Sequence, residues 1–279
     1  MIGRRLKYTL WLLLLAVTLL AVGVGVNYWH YHQLTAPYVG FNAAGELVLR
    51  GQLTPQLLQQ FTTFEQSHDL RHRRLRVKSP GGLTMVGMRI GVLVHKLQMD
   101  VEVDEFCVSS CANFIFTAAR KKYVRHNSGL IFHGGSLQEN MEEKRADKSL
   151  WGETRHEASV VPLSVADQQL LRELLPAPPK GQAPKLEREQ EMDFFRYLGV
   201  NPLITIYGQL GSYQQAYETT HHIGFHYTIA DLEKFGVTEV HFLGEGVWRP
   251  HTNPYDGSPY WVKVDEEILR DYSRRYGLE

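Results

Sequence analysis

Near the N-terminus an uncharged run dominated by Leu, Val and Ala, Tyr8–Val26, follows Arg4, Arg5 and Lys7. Its nineteen residues match the roughly 20 that a helix needs to cross a hydrocarbon core of about 30 Å. The basic residues before it, and Tyr28, Trp29 and Tyr31 after it, fit a helix with its basic end in the cytoplasm and an aromatic belt at the far interface. A cleaved signal peptide has similar charged and apolar regions, but usually a shorter core and a small-residue cleavage site. Bulky Asn27–His32 follows this run, so an uncleaved single-pass membrane anchor is expected. The rest of the chain then lies outside the cytoplasm.

What remains of the 279 residues is enough for one sizeable domain with appendages. Lys plus Arg and Asp plus Glu balance at thirty each. No net field therefore draws the protein to nucleic acid, and that class is set aside. The two cysteines, Cys107 and Cys111, are the only ones. An oxidising compartment permits them to pair. Four-residue spacing on a helix puts their Cα atoms near the upper end of the bridging range, so a disulfide is expected. A zinc site would need further ligands that the nearby sequence lacks.

Along the chain, Tyr38–Phe41 and Glu46–Arg50 read as short strands around Asn42–Gly45. Thr54-Pro55 opens a helix, Thr as N-cap and Pro at its first position, with Leu57, Leu58, Phe61 and Phe64 as its apolar stripe. A strand at Leu75–Lys78 breaks at Ser79-Pro80-Gly81-Gly82, and Met85, Met88 and Val92 recur at helical spacing after it. Val101–Val103, a helix over Ser109–Ala119, and strands at Tyr123–Arg125 and Gly129–Phe132 follow. Strands alternating with helices predict an α/β layer architecture. Residues 136–190 are polar and proline-rich and read as an insertion, with a capping box at Ser164–Asp167 opening a helix that runs to Leu175. Asn201-Pro202 and Thr228–Asp231 look like helix starts, and Val237–Leu243 like the last strand. The domains expected are 1–35 (cytoplasmic stub, anchor and juxtamembrane segment), 36–245 (the α/β domain) and 246–279, an aromatic-rich extension with a helix from Asp265.

Three segments can carry chemistry. Consecutive glycines at Gly81 and Gly82 can turn backbone N–H groups towards a developing oxyanion, although Pro-Gly-Gly is more often just a turn. Ser109 and Ser110 stand where a strand passes into a helix, where a serine is usually only a cap. His133 ends an apolar strand, as a core residue or as a general base. His221, His222 and His226 could place two ligands on one helix face, but without a suitable acid or thiol a polar helix face is the better expectation, and no metal is predicted.

Order and layout bring these segments together. Val77-Lys78-Ser79-Pro80-Gly81-Gly82, then Ser109-Ser110-Cys111-Ala112-Asn113-Phe114, then Asn127-Ser128-Gly129-Leu130-Ile131-Phe132-His133 resemble the proteolytic subunit of the Clp protease and its relatives, including signal peptide peptidase A. Glu46–Gly51 and Tyr227–Val240 are similar to the strand that opens that fold and to its final helix–strand pair. A periplasmic branch of the superfamily with a Ser-x-Cys element is more similar still, and it implies the inner membrane for the anchor and the periplasmic side for the rest of the chain. The resemblance implies a Clp-protease/crotonase-like core of repeated β-β-α units. It also implies a serine hydrolase acting on peptide or protein, with Ser109 as nucleophile, His133 as base and Gly81, Gly82 and Ser110 around the oxyanion. Ser110 is the rival nucleophile and Cys111 a weaker one. Asp193 and Glu218 are the candidates for the acid. No cofactor is implied, and homo-oligomerisation is left open. The alternative is a Clp-like module that binds or scaffolds without catalysis. A crotonase-type acyl-CoA enzyme ranks third, because its cofactor is cytoplasmic.

Overall fold

The computed structural model describes residues 36–138, 183–219, 224–248 and 259–278, with Thr18 and Gly23 besides. Apart from those two positions, the apolar run 8–26 lies outside the described residues, as do most of the insertion, including its expected helix at 164–175, and His221 and His222. Among the described residues no helix is long and apolar enough to cross a membrane.

Strands β1 (Tyr38–Phe41) and β2 (Leu47–Arg50) form an antiparallel hairpin. Asn42 closes its turn, its Oδ1 accepting from the Ala44 and Glu46 amides. Helix α1 (Pro55–Ser67) starts where the sequence marks it, with Thr54 Oγ1 accepting from Leu57 N, and it buries Leu57, Leu58 and Phe61. Next come β3 (Arg74–Ser79), α2 (Thr84–Lys96), β4 (Asp100–Val108), the helical segment α3 (Cys111–Phe116), β5 (Lys122–Arg125) and β6 (Gly129–Ile131). Beyond the insertion lie α4 (Ala183–Leu198), short 3₁₀ turns over 202–213, α5 (Gln214–Thr219), β7 (Phe225–Tyr227), α6 (Ile229–Lys234), β8 (Val240–Leu243), β9 (Tyr260–Val262) and α7 (Glu266–Arg275).

The main sheet runs β1-β2-β3-β4-β5-β8, parallel from β2 onward, as expected of strands joined by helical crossovers. Strand β4 serves two neighbours end to end. Val101–Val103 pair with β5, while Phe106–Val108 pair with β6. Along β3, Leu75 and Val77 enter the core, and Arg74, Arg76 and Lys78 alternate to the other face. That face carries an ion ladder: Arg74–Glu102 at 3.2 Å, Arg76–Asp104 at 2.5 Å and Arg125–Asp104 at 3.0 Å. Alternation of this kind marks a sheet with only one face in the core.

Two expectations need correction: Val237–Leu243 does not hold the last strand, and His226 does not lie on a helix. Residues 225–227 and 260–262 form a second, parallel two-stranded sheet, linked to the first where Phe132 bridges Phe225. His226 therefore belongs to a strand and not to a polar helix face. It is 2% exposed, and its Nδ1–H is donated to Leu130 O at 2.8 Å. Burial lowers its pKa to about 4, so it stays neutral near neutral pH. Its neighbours Phe225 and Tyr227 are both fully buried, and that apolar context overrides the polar reading of the local sequence. Among the described residues no three His, Cys, Asp or Glu side chains gather as a metal site.

Candidate active site

Ser79 ends β3 fully buried, and its Oγ accepts the Gly81 amide at 3.1 Å. Gly81 and Gly82 then take φ of +88° and +148°, a region that L side chains rarely adopt. Space demands glycine here as well. A Cβ on Gly82 would lie 2.5 Å from Leu53 O, and one on Gly81 would lie 2.6 Å from both Ser109 Cβ and Val108 O. The Gly-Gly turn is thus pressed directly against the end of β4.

At that end Ser109 has φ +58°. Four described non-glycine residues have positive φ, and the other three, His72, Gln98 and Glu239, are exposed. Ser109 is partly buried, its amide donated to Ile131 O at 2.9 Å and its carbonyl accepting from Asn113 N at 2.8 Å. A left-handed L-residue costs about 1–2 kcal/mol and persists only where its surroundings over-determine it. Such a kink between strand and helix is the way a nucleophilic serine is exposed at a sharp elbow. Helix α3 winds with π geometry rather than the α geometry expected, a form frequent at functional sites. Gly87 and Gly91 of α2 let it approach closely, since Cβ atoms there would run into Ser110 and Phe114.

Ser110 has a different environment. It is 4% exposed, and its hydroxyl donates to Gly82 O at 2.9 Å. Cys111 is bonded to Cys107, their Cα atoms 5.2 Å apart, and both are fully buried. Of the three candidate nucleophiles, Ser109 alone has neither a disulfide nor a structural hydrogen bond from its side chain among the described residues. Of the three candidate oxyanion amides, Gly81 is already committed to Ser79 Oγ, whereas Gly82 N–H and Ser110 N–H have no protein acceptor among the described residues. Ser110→Ala removes one buried hydrogen bond and should lower stability by about 1 kcal/mol. It should leave any reaction at Ser109 intact, which chemical denaturation and serine labelling of the same sample will check.

His133 follows β6 two residues after Ile131, the carbonyl that receives the Ser109 amide, so both residues sit at the same ends of neighbouring strands. It is half-buried, and its loop is pinned residue by residue. His133 O accepts from Gln209 Nε2 at 2.8 Å and from Tyr217 OH at 3.3 Å. Gly134 O accepts from Asn113 Nδ2 at 2.8 Å, and Ser136 N donates to Glu191 Oε2 at 3.0 Å.

Neither expected acid lies in this arrangement. Asp193 pairs with Arg196 on the outside of α4, its side chain 40% exposed. Glu218 is exposed and bonded to Gln214. The acid beside the histidine loop is Glu191, 1% exposed, with its Oε1 2.4 Å from where a Cβ on Gly135 would fall. One signal could have found it. Glu191, Phe194, Phe195 and Leu198 recur at helical spacing, so Glu191 stands on the apolar face of α4. Asn113, Gln209 and Tyr217 carried no comparable signal, because their partners are distant in sequence. Compared with known proteins, the chain matches no family model and no curated sequence.

Proposed function

We propose that this chain is a membrane-anchored, extracytoplasmic serine hydrolase of the Clp-protease/crotonase type, acting on peptide or protein. The observation that carries this reading is Ser109. It is held in a strained left-handed conformation at a strand-to-helix elbow, against a glycine turn that has no room for a side chain, beside the strand that leads to His133. In the proposed reaction Ser109 Oγ attacks the substrate carbonyl while His133 takes its proton. The Gly82 and Ser110 N–H groups donate to the oxyanion, and His133 returns the proton to the leaving amine. Water, activated by the same histidine, then releases the acyl group. Glu191 acts as a positioning residue that fixes the backbone beyond His133. The chemistry needs no cofactor.

The reading is tested by treating the full chain with a fluorophosphonate and mapping the adduct by mass spectrometry. A phosphonylated Ser109 is expected. An adduct on Ser110 shifts the nucleophile by one residue, and complete inertness counts against a hydrolase.

A further inference from the structure

We infer that the candidate site faces the bilayer, and that its substrates are extracytoplasmic segments of polypeptides themselves held at the membrane. The inference rests on the anchor and the serine chemistry proposed above, and adds to them the direction in which the fold hangs from its tether.

That direction follows from strand register. Strand β1 runs antiparallel to β2, pairing Tyr38 with Arg50 and Phe41 with Leu47. Strand β2 runs parallel to β3 and pairs Arg50 with Lys78. The chain therefore enters the fold, at Tyr38, beside the C-terminal ends of the parallel strands. The same end holds the Gly-Gly turn, Ser109 and His133. Backbone bonds lead there directly, from Gly51 N to Lys78 O at 3.0 Å and from Leu53 N to Gly81 O at 2.8 Å. The opposite end is marked by Phe41, whose ring lies 5.7 Å from that of His68 at the close of α1, and by the exposed basic turn Arg71–Arg73.

Tether length makes the two ends unequal. From Val26, where the apolar run stops, to Tyr38 is twelve residues, which span at most about 40 Å when fully extended. Nine-residue β4 alone is about 30 Å long. To turn the Arg71–Arg73 end to the bilayer, the tether must double back along the sheet and spend most of its reach. The site end needs no detour. A substrate confined to the same surface then meets the site at an effective concentration that soluble peptides lack. The basic turn is the competing membrane-facing surface, since arginines are drawn to anionic headgroups.

The full chain, reconstituted in vesicles containing anionic lipid and headgroup-linked acceptor dyes, carries a donor dye at Leu83→Cys or at Arg73→Cys. Both positions are exposed, Leu83 beside Gly82 and Arg73 in the basic turn, and labelling without reductant leaves the buried disulfide alone. Energy transfer is expected to be stronger from position 83. Equal transfer, or stronger transfer from position 73, overturns the orientation. This readout does not depend on catalysis, so inertness to soluble fluorophosphonate would remove the hydrolase reading and the substrate claim while leaving the measured orientation standing. A chain that does not float with vesicles removes the anchor, and the inference with it. The substrate claim is read by a fluorophosphonate joined to a phospholipid through a short spacer. At equal bulk concentration it should react at least about tenfold faster than the soluble probe, given the range that tethering confers. Equal rates refute the claim.

Discussion

Replacing Ser109 with alanine is expected to abolish fluorophosphonate labelling and to lower hydrolytic turnover roughly 10⁴- to 10⁶-fold, with the fold unchanged. His133→Ala should do comparable damage, because an unactivated hydroxyl is a poor nucleophile near neutral pH. The double variant should be little worse than either single one, since two residues acting as a unit lose their effect together. Alanine at 109 should not weaken the fold. It removes no side-chain hydrogen bond assigned among the described residues, and the φ of +58° disfavours serine and alanine alike. Retained turnover in Ser109→Ala with loss in Ser110→Ala would move the nucleophile to Ser110. Absence of both labelling and turnover in the native chain would favour the binding or scaffold module.

Gly81→Ala is expected to have the next largest effect, for a reason that involves no chemical group. The added methyl would stand 2.6 Å from Ser109 Cβ and 2.6 Å from Val108 O, at a φ of +88°. The turn and the serine elbow must part, and a displacement of about 1 Å at a reacting centre costs on the order of 100-fold in rate. Stability should fall by about 1–3 kcal/mol from backbone strain and steric overlap. Gly45→Ala is the matched control. Its φ is +75°, but nothing lies within 4 Å of the added carbon. It should lose about 1–2 kcal/mol through backbone strain alone and label at the native rate. If Gly81→Ala and Gly45→Ala behave alike, the glycine turn has no part in the site.

The segments read correctly from sequence share a physical basis. Thr54, Thr228 and Asp265 cap helices with their own side chains, and Gly45 turns the chain where φ is positive. Each of these signals acts within four or five residues, so a linear reading captures it. The Ser79–Gly82 turn, the serine pair and His133 were legible for the same reason. Each falls at the boundary of a strand.

Contacts between distant segments were not legible. Ser109 and Ser110 are adjacent and chemically identical, and they part because the chain kinks at Ser109 and Gly82 O, 28 residues upstream of Ser110, takes the Ser110 hydroxyl. Asp193 and Glu218 looked as eligible as any acid on a helix. Helix α4 turns Asp193 outward and Glu191 inward, and the decision comes from where α4 docks against the His133 loop. His226 reads as polar until Phe225 pairs with Tyr260, thirty-five residues on, and draws the strand into the core.

The sequence by itself determined the strand and helix alternation, the caps and turns, and the apolar run at the N-terminus, because these follow from side-chain periodicity and local hydrogen bonding. Only the tertiary structure decided which serine keeps its hydroxyl uncommitted, which carboxylate stands beside the His133 loop, and at which end of the sheet the chain enters the fold. Those depend on register and docking between segments far apart in the chain, where the free energy of burial outweighs any local preference.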